Sequence, residues 1–393
     1  MAGAIIGRGC LYRASGIVVA SVVLAASIAR AQQEKSPTIA DVQKAWQARQ
    51  DRVRTARFTW KEQRTWPKGS ISSTFGPAAL ERIPEVKGKI MPPADKTVDF
   101  SYTLAMDNDK VRFEYEGSEW ANAKQDFRPV KYVSVFDGKT AKHLYPDGVG
   151  HADWPVGVIH KGADYRDAGL AALRPLLLVY RPFVATLQPT DIQEMTLEGE
   201  QAVIDGRMCV ELVQRLPKNS SVQLWVDTTQ DFLLVRRLII EQGKPLEQID
   251  IHYRVDRSSG WVPTDWKIVN YGSKGRLLCS INAVLTSGEF NIGVDPSLFD
   301  FDFPPGARVQ DERMNNHGYI LRHDGTKRAV LDEDIGATYE QMVNTAPGQA
   351  LYPQYPKSKS LTRQWVLAIF AATGLLALGV LIWRRLRLKE SPR

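Results

Sequence analysis

The chain is 393 residues long, carries a net charge of +7 and contains ten tryptophans and three cysteines. That length suffices for one large β domain or two smaller ones with a sizeable buried core. The positive excess sits partly at the two ends of the chain, so it gives no indication of a nucleic-acid partner and reads as an ordinary solvated surface.

Residues 1–31 have the layout of a secretory signal. Arg8 and Arg13 precede an uncharged apolar run over 16–28, and Ala29-Arg30-Ala31 supplies the small residues of a cleavage site, which makes Gln32 the expected first mature residue. The rival reading is an uncleaved anchor, but the run falls short of the roughly 20 residues a span needs. Cys10 is rejected as a lipidation site, because Arg8 puts a charge where a lipobox needs apolar residues.

Thr38 followed by Asp41 reads as a capping box, and Ile39, Val42, Trp46 and Val53 recur at near-helical spacing, which predicts a helix to about Thr55. From Arg57 the period changes to two, with Phe58 and Trp60 on one face of a strand. Residues 66–97 are rich in Pro, Gly and Ser and read as a long loop. Val98, Phe100, Tyr102, Leu104 and Met106 then alternate, Asp107-Asn108-Asp109 turns, and Val111, Phe113 and Tyr115 return. A second hairpin pairs 132–136 with 139–145 across Asp137-Gly138, a dipeptide suited to φ > 0. A helix is predicted over 165–180 from Leu170, Leu173, Leu176, Leu177 and Val179, despite Pro175. Strands then dominate, at 192–197, 208–213, 222–227, 232–241, 247–255, 261–269 and 277–285, joined by hairpin-length turns into a meander.

Beyond Asp311 the chain is polar and weakly periodic, so 312–364 read as a tail and stalk. Residues 365–383 are uncharged and almost wholly apolar, with Trp365 and Trp383 at their edges. At about 1.5 Å per helical residue they reach about 28 Å, close to a bilayer core of roughly 30 Å. Arg384, Arg385, Arg387 and Lys389 follow, so the positive-inside rule places 384–393 in the cytoplasm and everything before Trp365 outside it. The expected location is a single pass through the cytoplasmic (inner) membrane with the main domain periplasmic. A cleaved sorting tail is the alternative, and the absence of a Leu-Pro-x-Thr-Gly or Pro-Glu-Pro peptide upstream favours a retained anchor.

Several segments, taken in order, resemble one family. Asp109-Lys110-Val111-Arg112-Phe113-Glu114-Tyr115 is similar to its strand of Arg then aromatic, and Phe136-Asp137-Gly138-Lys139 to its Asp-Gly hairpin. Leu224-Trp225-Val226-Asp227, Gly260-Trp261-Val262-Pro263 and Phe301-Asp302-Phe303-Pro304-Pro305-Gly306 match its later strands and closing segment. The family is the LolA/LolB-like, RseB-related periplasmic lipoprotein-carrier superfamily, and the resemblance covers roughly 38–311. It implies a mainly β fold, a half-open β-barrel of curved antiparallel sheet around helices, spanning 32–311. It also implies a concave apolar face that receives an acyl chain. The 66–97 loop, the tail after Asp311 and the anchor depart from the soluble carriers. A tethered protein cannot ferry cargo unaided, which favours local capture, hand-off or sensing.

Periodicity then names a site. Trp60, Phe100, Tyr102, Phe113, Tyr115, Leu224 and Val226 are expected to face one shared apolar space, since each set occupies alternate positions of its strand. The competing reading is that aromatic residues alternating on a sheet fill a core. Cys209 and Cys279 are left as candidate disulfide partners in an oxidising compartment. The histidines at 143, 151, 160, 252, 317 and 323 show no metal-ligand spacing, and no nucleophile elbow, Walker A or dinucleotide motif is present. No enzyme activity, metal or cofactor is therefore expected. Two functions remain: a membrane-tethered binding protein for a lipid or lipoprotein acyl chain, or a regulatory or structural protein acting through contacts with other envelope proteins.

Overall fold

The computed structural model describes residues 37–72, 89–121, 126–148, 154–161, 170–184, 192–257, 259–272, 275–314, 317–331, 334 and 338–344. The expected signal, membrane span and basic tail lie outside these residues, as do 73–88 of the expected loop. Among the described residues no helix is long and apolar enough to cross a membrane.

In chain order the elements are α1 (Ile39–Arg52), β1 (Thr55–Trp66), β2 (Lys96–Asp107), β3 (Lys110–Ala121), β4 (Asp126–Phe136), β5 (Thr140–Tyr145) and β6 (Val156–Lys161). There follow α2 (Leu170–Tyr180), β7 (Thr196–Ile204), β8 (Arg207–Leu216), β9 (Ser220–Asp227), β10 (Leu233–Glu241), β11 (Lys244–Asp256), β12 (Gly260–Tyr271) and β13 (Leu277–Phe290). The last elements are β14 (Arg308–Asp311), β15 (His317–Leu321), β16 (Lys327–Ala329) and α3 (Tyr339–Asn344). The chain is thus mainly β, and it divides into two compact units, one from residues up to Ala141 and between Gly162 and Phe301, the other from Lys142–Lys161 and residues from Asp302 onward.

The first unit is an open, curved sheet whose neighbours run β4-β3-β2-β1-β13-β12-β11-β10-β9-β8-β7. Strand β1 joins its two meanders, pairing antiparallel with β2 on one edge (Trp60 opposite Tyr102) and with β13 on the other (Glu62 opposite Ala283). Residues directly opposed across such pairs share a face of the sheet. The chain of partners Arg64, Ile281, Ile268, Ile249, Arg237, Leu224, Leu212 therefore marks one inner face from β1 to β8. The alternation read from the sequence lies on it: Phe58, Phe100, Leu104, Met106, Val111 and Phe113 are all buried.

The helices are fixed by polar anchors. At the start of α1 Thr38 accepts from Asp41 N at 3.3 Å while its own N–H donates to Asp41 Oδ2 at 2.9 Å, the expected capping box. Its buried Trp46 Nε1 donates to Phe232 O at 2.6 Å, and Arg49 Nη2 to Asp231 O at 2.5 Å. Asp231 and Phe232 have φ of 56° and 49°, and these two bonds hold the β9–β10 turn in that rarely occupied region. Helix α2 runs with Pro175 inside it and is apolar but for Arg174, with Ala172, Leu173 and every residue from Leu176 to Tyr180 buried. Such a helix is stable only inside a core.

Arg181, 1% exposed, follows α2 and ties these pieces together. Its guanidinium donates to the carbonyls of Asn108 (2.5 Å), Val53 (2.7 Å), Tyr180 (2.6 Å) and Arg54 (2.7 Å). Val53 caps α1 and Tyr180 ends α2, so one cation meets the negative dipole ends of both helices. Burial nevertheless pushes its pKa down to about 10.

In the second unit the order is β16-β15-β14-β6-β5, with β14 parallel to β6. Phe303 lies where a Cβ on Gly157 would be, 2.4 Å away, so only glycine lets that ring cross β6. Arg328 and Asp334 form a fully buried two-pronged ion pair at 2.9 and 2.8 Å, and Trp154 stacks on Tyr339 at 5.0 Å. The second unit takes in Asp302 and the residues after it, β14 pairing with β6 and β15, and within the expected tail of 312–364 the described residues form β15, β16 and α3.

Replacing Arg181 with Met would leave four carbonyls without their donor in a buried place. Urea unfolding is expected to show a loss of about 3 kcal/mol or more, whereas Arg215→Met, at an exposed ion pair, should change stability by less than about 1 kcal/mol.

Candidate functional site

The site grows from one row of opposed residues. Trp60 faces Tyr102, Tyr102 faces Tyr115, and Tyr115 faces Tyr132. Trp60 and Tyr102 stack at 4.8 Å and 6° between planes, and Tyr102 and Phe113 at 5.6 Å and 13°. Phe100 joins through Tyr102 and Tyr115, each at 6.0 Å, and Tyr132 through Tyr115 at 5.0 Å. Gly117 makes this possible: a Cβ there would sit 2.1 Å from the Phe100 ring.

Five of the seven expected site residues, Trp60, Phe100, Tyr102, Phe113 and Tyr115, therefore form one stacked patch, each 5% exposed or less. Leu224 and Val226 are fully buried on β9, and the row through Arg64, Ile249 and Arg237 places Leu224 on the same inner face. Strands β13 to β10 stand between them and the rings.

Charged residues on this face were not anticipated. Glu62 and Arg64 continue the alternation of Phe58 and Trp60, so β1 turns them inward. Arg64 Nε donates to Glu62 Oε1 at 2.8 Å and Nη2 to the Tyr102 hydroxyl, while its guanidinium carbon lies 4.3 Å over the Phe100 ring. Burial alone would lower the Arg64 pKa, but Glu62 and Tyr102 outweigh it and hold the guanidinium above its ordinary value. Burial also raises the Tyr102 phenol well above its usual range. A second cluster sits on the same face, where Arg237 and Arg174 of α2 donate to the two carboxylate oxygens of Glu247. Here burial dominates and pushes Arg237 down to about 10, because one carboxylate serves two cations.

The opposite side of the same strands is polar. A cleft of about 280 Å³ there is lined by Thr59, Lys61, Ser101, Thr103, Glu114, Glu116 and Thr286, with Trp60, Tyr102 and Tyr115 at its floor. Cys209 and Cys279 are free thiols, and the disulfide left open by the sequence does not form. Their strands β8 and β13 are separated by β9 to β12, about 24 Å along the sheet at about 4.8 Å per strand, against about 5.5–6 Å between the Cα atoms of a disulfide. Burial raises Cys209 to about 11 and Cys279 to about 12, so both are held as inert thiols. Glu198 is bound to Arg215 in an exposed ion pair. His143 and His160 meet edge to face at 4.7 Å in the second unit, with His160 Nδ1 2.9 Å from Glu312, a proximity no sequence spacing shows. Among the described residues no three of His, Cys, Asp and Glu are grouped to hold a metal ion.

No family model and no curated protein sequence matches the chain. In structure it resembles LolA superfamily proteins. One, from Nitrosomonas europaea, is 12% identical with a TM-score of 0.37, covering 68% of this chain and 100% of its own. A domain from Vibrio parahaemolyticus described as an outer membrane lipoprotein-sorting protein is 10% identical with a TM-score of 0.38, covering 65% and 95%. A DUF1329 family protein from Desulfovibrio piger is 12% identical with a TM-score of 0.33, covering 67% and 97%.

The ion pair beneath the rings gives a direct test. Glu62→Ala leaves the partly buried Arg64 charge with only a phenol to face, and is expected to lose about 2–3 kcal/mol in chemical unfolding, below the cost at a fully buried pair because Arg64 keeps some contact with solvent. The double replacement Glu62→Leu with Arg64→Met should recover most of that loss, because neither charge then remains.

Proposed function

We propose that the chain is a binding protein for an apolar ligand, a lipid or lipoprotein acyl chain, held at the cytoplasmic membrane by residues 365–383 with its β domain in the periplasm. There it captures, hands off or senses that ligand. The observation that carries the reading is the flat aromatic platform of the inner face. Trp60, Tyr102 and Phe113 lie within 19° of one plane direction, which presents continuous apolar surface of the kind that accepts an extended chain. Helix α2 lies over this face, through Tyr180 stacked on Phe58 at 5.3 Å and Arg174 on Glu247. A ligand reaching the platform would slide along or displace that helix, so binding and the position of α2 are coupled.

A second reading, contact with another envelope protein, draws on a different place. On the β7–β8 hairpin Val203 and Met208 stand directly opposite one another, 66% and 39% exposed, with Leu197 and Leu216 exposed further along. An apolar strip on the last two strands of the described sheet suits a partner's strand or apolar side chains.

Solvent extraction of the full-length protein, purified in mild detergent, is expected to release an acyl-bearing lipid. Adding that lipid back at a hundred times its Kd should stabilise the domain by about 2.7 kcal/mol. A reporter fused after Arg393 should be active in the cytoplasm and one inserted after Asp311 outside it. No extractable lipid and an unmoved melting midpoint would leave the β7–β8 surface as the functional one.

A further inference from the structure

Three polar atoms on the inner face are buried and without a hydrogen-bonding partner in the protein: Trp60 Nε1, Trp266 Nε1 and Glu62 Oε2. Register puts the residues that carry them in neighbouring positions. Glu62 faces Ala283 across β1 and β13, and Ala283 faces Trp266 across β13 and β12, so the three stand in one row on one face. The side chain between Glu62 and Trp266 is thus a methyl group, the smallest a side chain other than glycine can present. Trp60, two residues before Glu62 on the same face, brings its ring centroid to 5.7 Å from that of Trp266.

The remaining valences are specific. Each indole offers one N–H and accepts nothing, while Glu62 has spent Oε1 on Arg64 Nε and keeps Oε2 as an acceptor. A partner for all three must accept twice and donate once. A hydroxyl group does this with its two lone pairs and one proton. A carboxylate or phosphate brings no proton and meets a carboxylate; an ester or ether accepts but cannot donate; an ammonium donates but cannot accept. A hydrocarbon leaves all three atoms unsatisfied in an apolar surrounding, which is costly. Arg64 does not reverse this choice, because Glu62 and the Tyr102 hydroxyl already occupy it.

We propose that Trp60, Glu62 and Trp266 form a recognition site for the hydroxyl group of an apolar ligand, a long-chain alcohol or an acylglycerol with a free hydroxyl. The proposal rests on the reading that this face receives an apolar ligand, and it adds which polar group that ligand carries and where it is held.

The test uses full-length protein in amphipol and three probes of equal chain length: 1-decanol, decyl methyl ether and decanoate, each titrated by calorimetry. Decanol is expected to bind about tenfold more tightly than the other two, and Trp266→Phe, which keeps an aromatic ring but removes the N–H, to weaken decanol by about three- to tenfold with little effect on the ether. Trp60→Phe should act likewise, with circular dichroism confirming that both variants fold. Equal binding of decanol and ether, or a Trp266→Phe effect that is the same on both, would overturn the hydroxyl site while leaving the apolar-ligand reading intact. Binding of none of the three would overturn both, and would make these atoms a site for internal water alone.

Discussion

Strand β1 is paired on both edges, and the faces of the first unit follow from that double pairing. Its partner β2 begins the chain's first meander and β13 ends its second, so both must agree with β1 on which side chains turn inward. A slip of one residue would carry Phe58, Trp60, Glu62 and Arg64 to the polar side together. The pairing with β13 absorbs one irregularity, between Thr59 and Trp60, and it is this shift that sets Glu62 rather than Gln63 opposite the small Ala283.

Three guanidiniums, Arg181 and Arg237 buried and Arg64 partly so, show how differently the interior treats the same group. Arg64 has a carboxylate and a phenol and stays above its ordinary pKa. Arg237 shares its carboxylate with Arg174, and Arg181 is bonded to carbonyls at two helix ends, with Asp107 and Asp109 acting on it without a direct hydrogen bond; both fall to about 10. Dipoles satisfy hydrogen-bonding geometry without returning the charge–charge attraction that desolvation removes. Arg181 therefore locks the ends of α1 and α2 to the β2–β3 turn. The Glu247 cluster joins α2 to β10 and β11 by an exchangeable side-chain contact. Helix α2 is thus pinned at its C-terminal end and held by an ion pair further along, an arrangement suited to movement about Arg181.

Much of this was legible in the chain. The capping box at Thr38, the alternations at 98–106 and 111–115 and the Asp107-Asn108-Asp109 turn all fixed elements that formed, the last with Asn108 at φ 53°. What stayed hidden was of two kinds. Glu62, Arg64, Arg237 and Glu247 are charged, and a pattern of apolar against polar assigns charged residues outward; only cross-strand partners, which periodicity does not supply, turn them in. Short strands without a period were the other kind: β6 and β14 are paired in parallel across a long stretch of chain, and neither carries enough alternation to be seen alone. The same missing register concealed that Leu224 and Val226 share a face with the rings but not their stack, and that Cys209 and Cys279 lie strands apart.

On the proposed function the inner face, and not the β7–β8 edge, receives an apolar ligand. Photo-crosslinking with a diazirine-bearing long-chain alcohol, followed by peptide mapping, reads this directly. Labelling is expected in the β1, β2, β12 and β13 peptides that carry Trp60, Phe100, Tyr102, Trp266 and Ala283, and to fall when unlabelled alcohol competes. Labelling confined to the β7–β8 hairpin around Val203 and Met208, or unaffected by competitor, would contradict it.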